Sequence, residues 1–206
     1  MTATAIAGSN EPEVLLSDHN LSAQELDQAR LFLQQTLNAV VGPTKGLSEA
    51  QWNFKPSADR WSIAGNLDHI VIVLERVLNI LFHQLPQAPA PPAGIDCRVV
   101  DAVVINQFPT RLDRFPAPEI IHPAHQIAPL DLLHRLRESY VRLANCLESQ
   151  PGLRRHACES APLKAVSKGA FQFMDGYQFI LAAAAHTERH AKQILEVMAD
   201  PGYPAH

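Results

Sequence analysis

Several things are scarce in this 206-residue chain, and each scarcity removes a class of function. It has three cysteines, Cys97, Cys146 and Cys158, and no CxxC pair. An odd, scattered set argues against a disulfide framework and a zinc knuckle, and the default setting is a reducing cytoplasm. Charged residues make up only 18% of the chain and the net charge is -4. There is no basic run and no interleaving of basic and aromatic residues, so nothing points to nucleic acid. Long apolar runs are missing too. Ile70 to Leu74 and Phe179 to Ala185 are the longest strongly apolar stretches, far short of the ~20 residues a membrane span requires. The first ten residues carry no basic n-region and no sustained apolar core, so they do not read as a signal peptide. The expectation is a soluble, cytoplasmic protein without nucleic-acid or membrane partners.

What is present is helical periodicity. An apolar fraction of 47% is ample for a core. Residues 1–20 are polar and irregular and read as a flexible N-terminal arm; residues 21–200 read as a single domain. Ser22-Ala23-Gln24-Glu25 is a capping box, followed by Leu26, Leu33, Leu37 and Val40 at helical spacing and a stop at Gly42-Pro43. Ser48-Glu49-Ala50-Gln51 marks a short helical turn within the next connection. Ser62 caps a second long helix, Ile63 to Phe82, striped by Leu67, Ile70, Leu74, Val77 and Leu81. A third runs from Leu130 to Glu148 and stops at Pro151-Gly152. Residues 153–174 read as a connection. Asp175 caps a fourth helix that continues to about Ala199.

Between the second and third of these helices lies a different composition. Pro86, Pro89, Pro91, Pro92, Pro109, Pro116, Pro118, Pro123 and Pro129 are nine of the chain's sixteen prolines, and a long helix cannot run through that spacing. Cys97 to Ile105 is β-branched and apolar, suited to a strand or a packed extended piece. The fold class expected is all-α: a four-helix bundle with a long Pro-rich crossover between helices 2 and 3.

The chemistry rests on histidine. His186 and His190 are spaced i, i+4, which stacks both imidazoles on one helix face. Phe179, Ala183, Gln193 and Val197 share their stripe, so the pair points inward. Ala182 to Ala185 keep the preceding turn slim, leaving room for a ligand or for close helix packing. Neutral imidazoles suit Zn, Ni, Fe or Cu. The plainer reading is a pair of hydrogen-bonded core histidines, and spacing alone leaves the two readings even. His19, His69, His83, His122, His125, His134, His156 and His206 compete as a third ligand; His122-Pro123-Ala124-His125 would have to reach a metal from the crossover. Trp61 is a core plug or a pocket wall near the metal. Glu75 lies off the face of His69 and suits an ion pair. Gln193 either orients His190 or packs between helices. The cysteines suit structural roles, since none stands beside a histidine.

These residues resemble a family. Phe54-Lys55-Pro56, Arg60-Trp61-Ser62-Ile63, Leu67-Asp68-His69-Ile70 with Glu75, Ala117-Pro118-Glu119, and His186-Thr187-Glu188-Arg189-His190-Ala191-Lys192-Gln193-Ile194 resemble the DinB/YfiT-like superfamily of four-helix metalloenzymes over about residues 22–198. The resemblance implies one histidine on the second helix and an HxxxH pair on the last around a divalent ion: His69, His186 and His190. It also implies small-molecule chemistry, either hydrolysis or thiol S-transfer with a low-molecular-weight thiol such as bacillithiol or mycothiol, and a homodimer. The catalytic group would be water or thiol at the metal rather than a protein nucleophile. A non-catalytic, stress-related binding bundle remains the alternative, because fold does not decide activity. Iron-dependent sulfoxide synthases share the fold but carry a second domain and an HxxxHxE pattern; Lys192 stands two residues after His190 here.

Overall fold

A computed structural model describes residues 20–110, 122–123 and 127–205. Residues 1–19 of the expected N-terminal arm, the Ala117-Pro118-Glu119 match, and His125 and His206 lie outside the described residues; His19 falls within that arm.

Four long helices form the bundle: α1 (Ala23–Val41), α3 (Ile63–Asn79), α5 (Pro129–Ser149) and α7 (Gly176–Met198). Each start has a local cause. Ser22 and Glu25 close a capping box on α1, and Asp175 and Gln178 close one on α7. The Ser62 hydroxyl accepts from the Gly65 amide at the start of α3. Pro129 stands in the first turn of α5, where a missing N–H costs nothing. The short α2 (Glu49–Asn53) has its own capping box from Ser48 and Gln51.

Packing runs in a ring: α1 against α7, α7 against α3, α3 against α5, and α5 against α1. The core is a continuous apolar cluster that includes Leu33, Leu67, Ile70, Leu74, Leu136, Leu143, Ile180 and Ile194. Helix α7 is the central member. Its residues 176–185 are all buried, so its first half is covered on every side rather than on one stripe. The alanines at 182–185 serve that close packing.

Three expectations are corrected. Cys97–Gln107 is a helix, α4, not a strand. The Asp96 carboxylate accepts from the Arg98 amide at 2.9 Å and starts it, and Val100, Asp101 and Val104 turn inward as α4 packs on α7. That tertiary face outweighs the β preference of its valines. The helix expected to end at Phe82 loses α-helical bonding at Asn79 and continues as a π turn, Ile80–Gln84, then a 3₁₀ turn, Leu85–Gln87, around Pro86. Residues 153–174 are more than a connection. They carry β1 (Ala157–Glu159), α6 (Ala161–Val166) and the start of β2 (Phe173–Asp175), with β1 and β2 antiparallel. The Ala157 amide and the His156 Nδ1–H donate to Pro89 and Ala88 carbonyls at 2.9 and 2.6 Å, tying this hairpin to the Pro-rich connection.

A buried ion cluster ties four segments together. One Arg154 nitrogen donates to Asp175 (2.9 Å) and Asp101 (3.3 Å), and the other to Asp101 (2.6 Å) and Glu25 (2.8 Å). Its guanidinium carbon lies 4.5 Å from the centre of the Tyr177 ring. Gln178 Nε2 adds a bond to Asp101 at 3.0 Å. Thus α1, α4, the hairpin and the start of α7 meet at one side chain.

Candidate metal centre

Two helices supply the three histidines. On α3, His69 follows Leu67 and precedes Ile70, both fully buried, and is itself 2% exposed. On α7, the i, i+4 spacing brings His186 and His190 to the face that meets α3. His190 is 5% exposed, and His186 is partly exposed.

The rings form a near-regular triangle. Centroids lie 4.9 Å apart for His69 and His186, 4.5 Å for His69 and His190, and 4.5 Å for His186 and His190. One nitrogen from each ring falls within 4.8 Å of the others, a group that could hold a metal ion. His69 Nε2 and His186 Nε2 are 3.1 Å apart. Two nitrogens bound tetrahedrally at ~2.0–2.1 Å lie about 3.3–3.4 Å from each other, so the observed edge is close to a coordination edge.

Electrostatics favours the ligand form. Burial first, then His69 and Arg189, pushes the His186 imidazolium down to about 3. Burial, His186, His69 and Arg189 in that order push His190 well below its ordinary value, against an opposing contact from Gln193. Both rings are therefore neutral near pH 7, and neutral imidazole is the form that ligates.

Around the triangle stand residues that sequence reading weighed or missed. Trp61 is a wall: its indole stacks on His190 (5.9 Å, 17°) and tilts against His69 (4.8 Å, 48°). His122 meets Trp61 edge-on at 6.1 Å and does not belong to the three-histidine group. Glu75 pairs with Arg135 through Oε1, 3.0 Å from Nε, and Glu188 pairs with Lys192 at 2.6 Å; neither joins the group. Gln193 does reach His190. The three cysteines are free; burial raises all three thiols, Cys146 to about 11, so none is a ready thiolate.

Asn66 was missed. It is 1% exposed, and its Oδ1 lies 3.0 Å from His190 Nδ1. Its Nδ2 donates to the Ser62 carbonyl at 2.9 Å. The available signal was an Asn three residues before His69, and therefore on nearly the same face of α3.

The comparisons with known proteins follow the same lines. The chain is similar to a solved structure, YfiT from Bacillus subtilis, at 13% identity and a TM-score of 0.55, covering 89% of this chain and 91% of that one. That protein is described as a probable metal-dependent hydrolase with an unusual four-helix bundle topology. No curated protein matches. Among the described residues no helix is long and apolar enough to cross a membrane. The sequence profile of the DinB superfamily matches residues 32–194, which covers α3, all but the last four residues of α7 and all three histidines, and the chain belongs to that superfamily.

Proposed function

We propose that the protein binds one divalent metal ion through His69, His186 and His190 and uses it to act on a small molecule. The observation that carries this reading is the convergence of three imidazole nitrogens from two helices within 4.8 Å. The donor set fits such an ion: the 3.1 Å edge suits two ligands of one metal, and His186 and His190 are held neutral. Three nitrogens leave coordination positions open, and His186 is partly exposed.

A divalent ion held there, Zn, Ni or Fe, supplies Lewis acidity and a lowered pKa to a water or thiol at its open position. The chain's own residues do the rest. The histidines carry no charge and leave the ion its full +2. Trp61 closes one side against solvent and offers an indole face to an apolar part of a substrate. The reaction class is hydrolysis or transfer of a low-molecular-weight thiol; the description of YfiT supports the hydrolytic form. A cytoplasmic homodimer completes the reading, and light scattering on the purified protein tests the dimer.

The metal itself is tested by mass spectrometry of purified wild type and His186→Ala. About one equivalent in wild type, lost in the variant, supports the site and directs a screen of ester, amide and thiol–electrophile substrates. Metal-free wild type that stays empty after incubation with Zn²⁺, Ni²⁺ and Fe²⁺ overturns it and leaves the non-catalytic bundle.

A further inference from the structure

We infer that Asn66 is a positioning residue that fixes the tautomer of His190 and aims its Nε2 into the three-histidine cluster. The inference rests on the metal reading above for its purpose but not for its geometry.

The argument begins with the amide. An Asn side chain has an acceptor oxygen and a donor nitrogen, and their assignment follows from the neighbours. Here the neighbours decide it. The Ser62 carbonyl is an acceptor and takes the bond from Nδ2 at 2.9 Å. Ser62 is itself 1% exposed and held at the start of α3. Its carbonyl also receives the Asn66 backbone amide at 3.0 Å. The amide is thus anchored by its nitrogen, and Oδ1 is the atom that faces His190 Nδ1 at 3.0 Å. Oδ1 can only accept, so Nδ1 carries the hydrogen. In a neutral ring the other nitrogen, Nε2, then carries the lone pair.

That choice matters because water favours the opposite tautomer, with the hydrogen on Nε2. Left alone, His190 would present an N–H to the cluster and would have to rearrange before ligation. His69 and His186 meet through Nε2, so the Asn66 bond brings the third ring into the same sense. Helix α3 accordingly acts twice: His69 enters the cluster, and Asn66, three residues earlier, sets a ring carried by α7. Gln193 is the competing candidate because it also contacts His190. It lies on the same helix as the ring and is partly exposed, whereas Asn66 is 1% exposed and anchored at both ends.

The test uses metal-free full-length protein at a pH where the ring is neutral. Long-range ¹H–¹⁵N correlation spectra read the tautomer of His190 directly. Wild type and Gln193→Leu are expected to show Nδ1–H. Asn66→Leu is expected to move the ring to Nε2–H and to weaken Zn²⁺, measured by competition with a chromophoric chelator, about 10–100-fold. Asn66→Asp keeps an acceptor and is expected to retain Nδ1–H and bind Zn²⁺ at least as tightly as wild type. Nε2–H in wild type overturns the inference outright, whether or not Asn66→Leu folds. So does an unchanged tautomer in Asn66→Leu, a shift caused by Gln193→Leu, or a changed tautomer with unchanged zinc affinity. If wild type binds no zinc, the metal reading fails and the purpose given to Asn66 fails with it; the tautomer spectra then still decide whether Asn66 holds the ring.

Discussion

Two buried polar clusters lie along α7. At its N-terminal end one guanidinium, Arg154, is met by three carboxylates, Glu25, Asp101 and Asp175. Roughly 16–22 Å further along the helix, at ~1.5 Å per residue, three imidazoles face one another, and that group contains no carboxylate. In the first cluster charge meets counter-charge and each long side chain has a partner of opposite sign. In the second, like groups converge: three nitrogen donors of the same kind point at one place, with an indole beside them. Opposed charges satisfy one another and hold the fold. Three convergent imidazoles are a group that could hold a metal ion.

The largest effect should come from breaking the first cluster. Arg154→Leu leaves three carboxylates around an apolar side chain, and removing one partner of a buried ion pair costs about 3–5 kcal/mol. Urea denaturation of metal-free protein checks it. The matching substitution in the second cluster, His186→Ala, should cost about 1 kcal/mol or less in the same metal-free assay, since no counter-charge is stranded. Equal losses would break the comparison and make the histidines a structural knot. Next in size is the response to metal. Free Zn²⁺ at 100 times its dissociation constant should stabilise wild type by about 2.7 kcal/mol. His69→Ala should lose most of that gain. A third effect sits at the Arg154 end. A methyl on Gly176 would stand 2.9 Å from the Leu153 carbonyl and 2.8 Å from a Leu85 methyl. Backbone cannot step aside as a side chain does, so Gly176→Ala should cost about 1–3 kcal/mol in thermal or urea unfolding, with zinc affinity unchanged.

The two clusters also differ in how far a sequence reveals them. The α7 pair was visible because i, i+4 is a local spacing, and Asp175 and Ser22 showed their caps for the same reason. His69 was one histidine among many until the family resemblance singled it out; nothing in its spacing requires a partner 117 residues away. Asn66 was invisible, because its meaning lies in a ring on another helix. Arg154 was equally hidden: its three acceptors come from α1, α4 and the residue that caps α7, and nothing local to any of them names a shared cation. Helix α4 was misread because its valines signal a strand locally, while its inward Asp101 makes sense only once Arg154 is there to meet it.

A pH dependence comes last. His186 and His190, held below their ordinary value, lose stability as pH falls below ~6.5, and at the Arg154 end two further contributions run in opposite directions. At Glu25 burial raises the carboxyl, but the Ser22 amide and hydroxyl and Arg154 outweigh it and hold the group down at about 2. A folded value below the unfolded one means stability present above pH ~4.5 and lost as pH falls toward 2. Because Glu25 keeps contact with solvent, screening limits this to the order of 1 kcal/mol. At Asp175 burial prevails over Arg154 and the Gln178 amide, and the carboxyl rises to about 6. A raised folded value has the opposite sign: its contribution is complete below pH ~3.8 and is lost as pH climbs through 6. Unfolding free energy measured from pH 3 to 7 should therefore gain from His186, His190 and Glu25 and lose from Asp175 as pH rises. Glu25→Gln should remove the acid-side gain, and Asp175→Asn should flatten the loss between pH 4 and 6. A profile that neither variant alters relative to wild type would mean that Arg154 neutralises all three carboxylates evenly, and that the excess negative charge of this cluster carries no titration within the measured range.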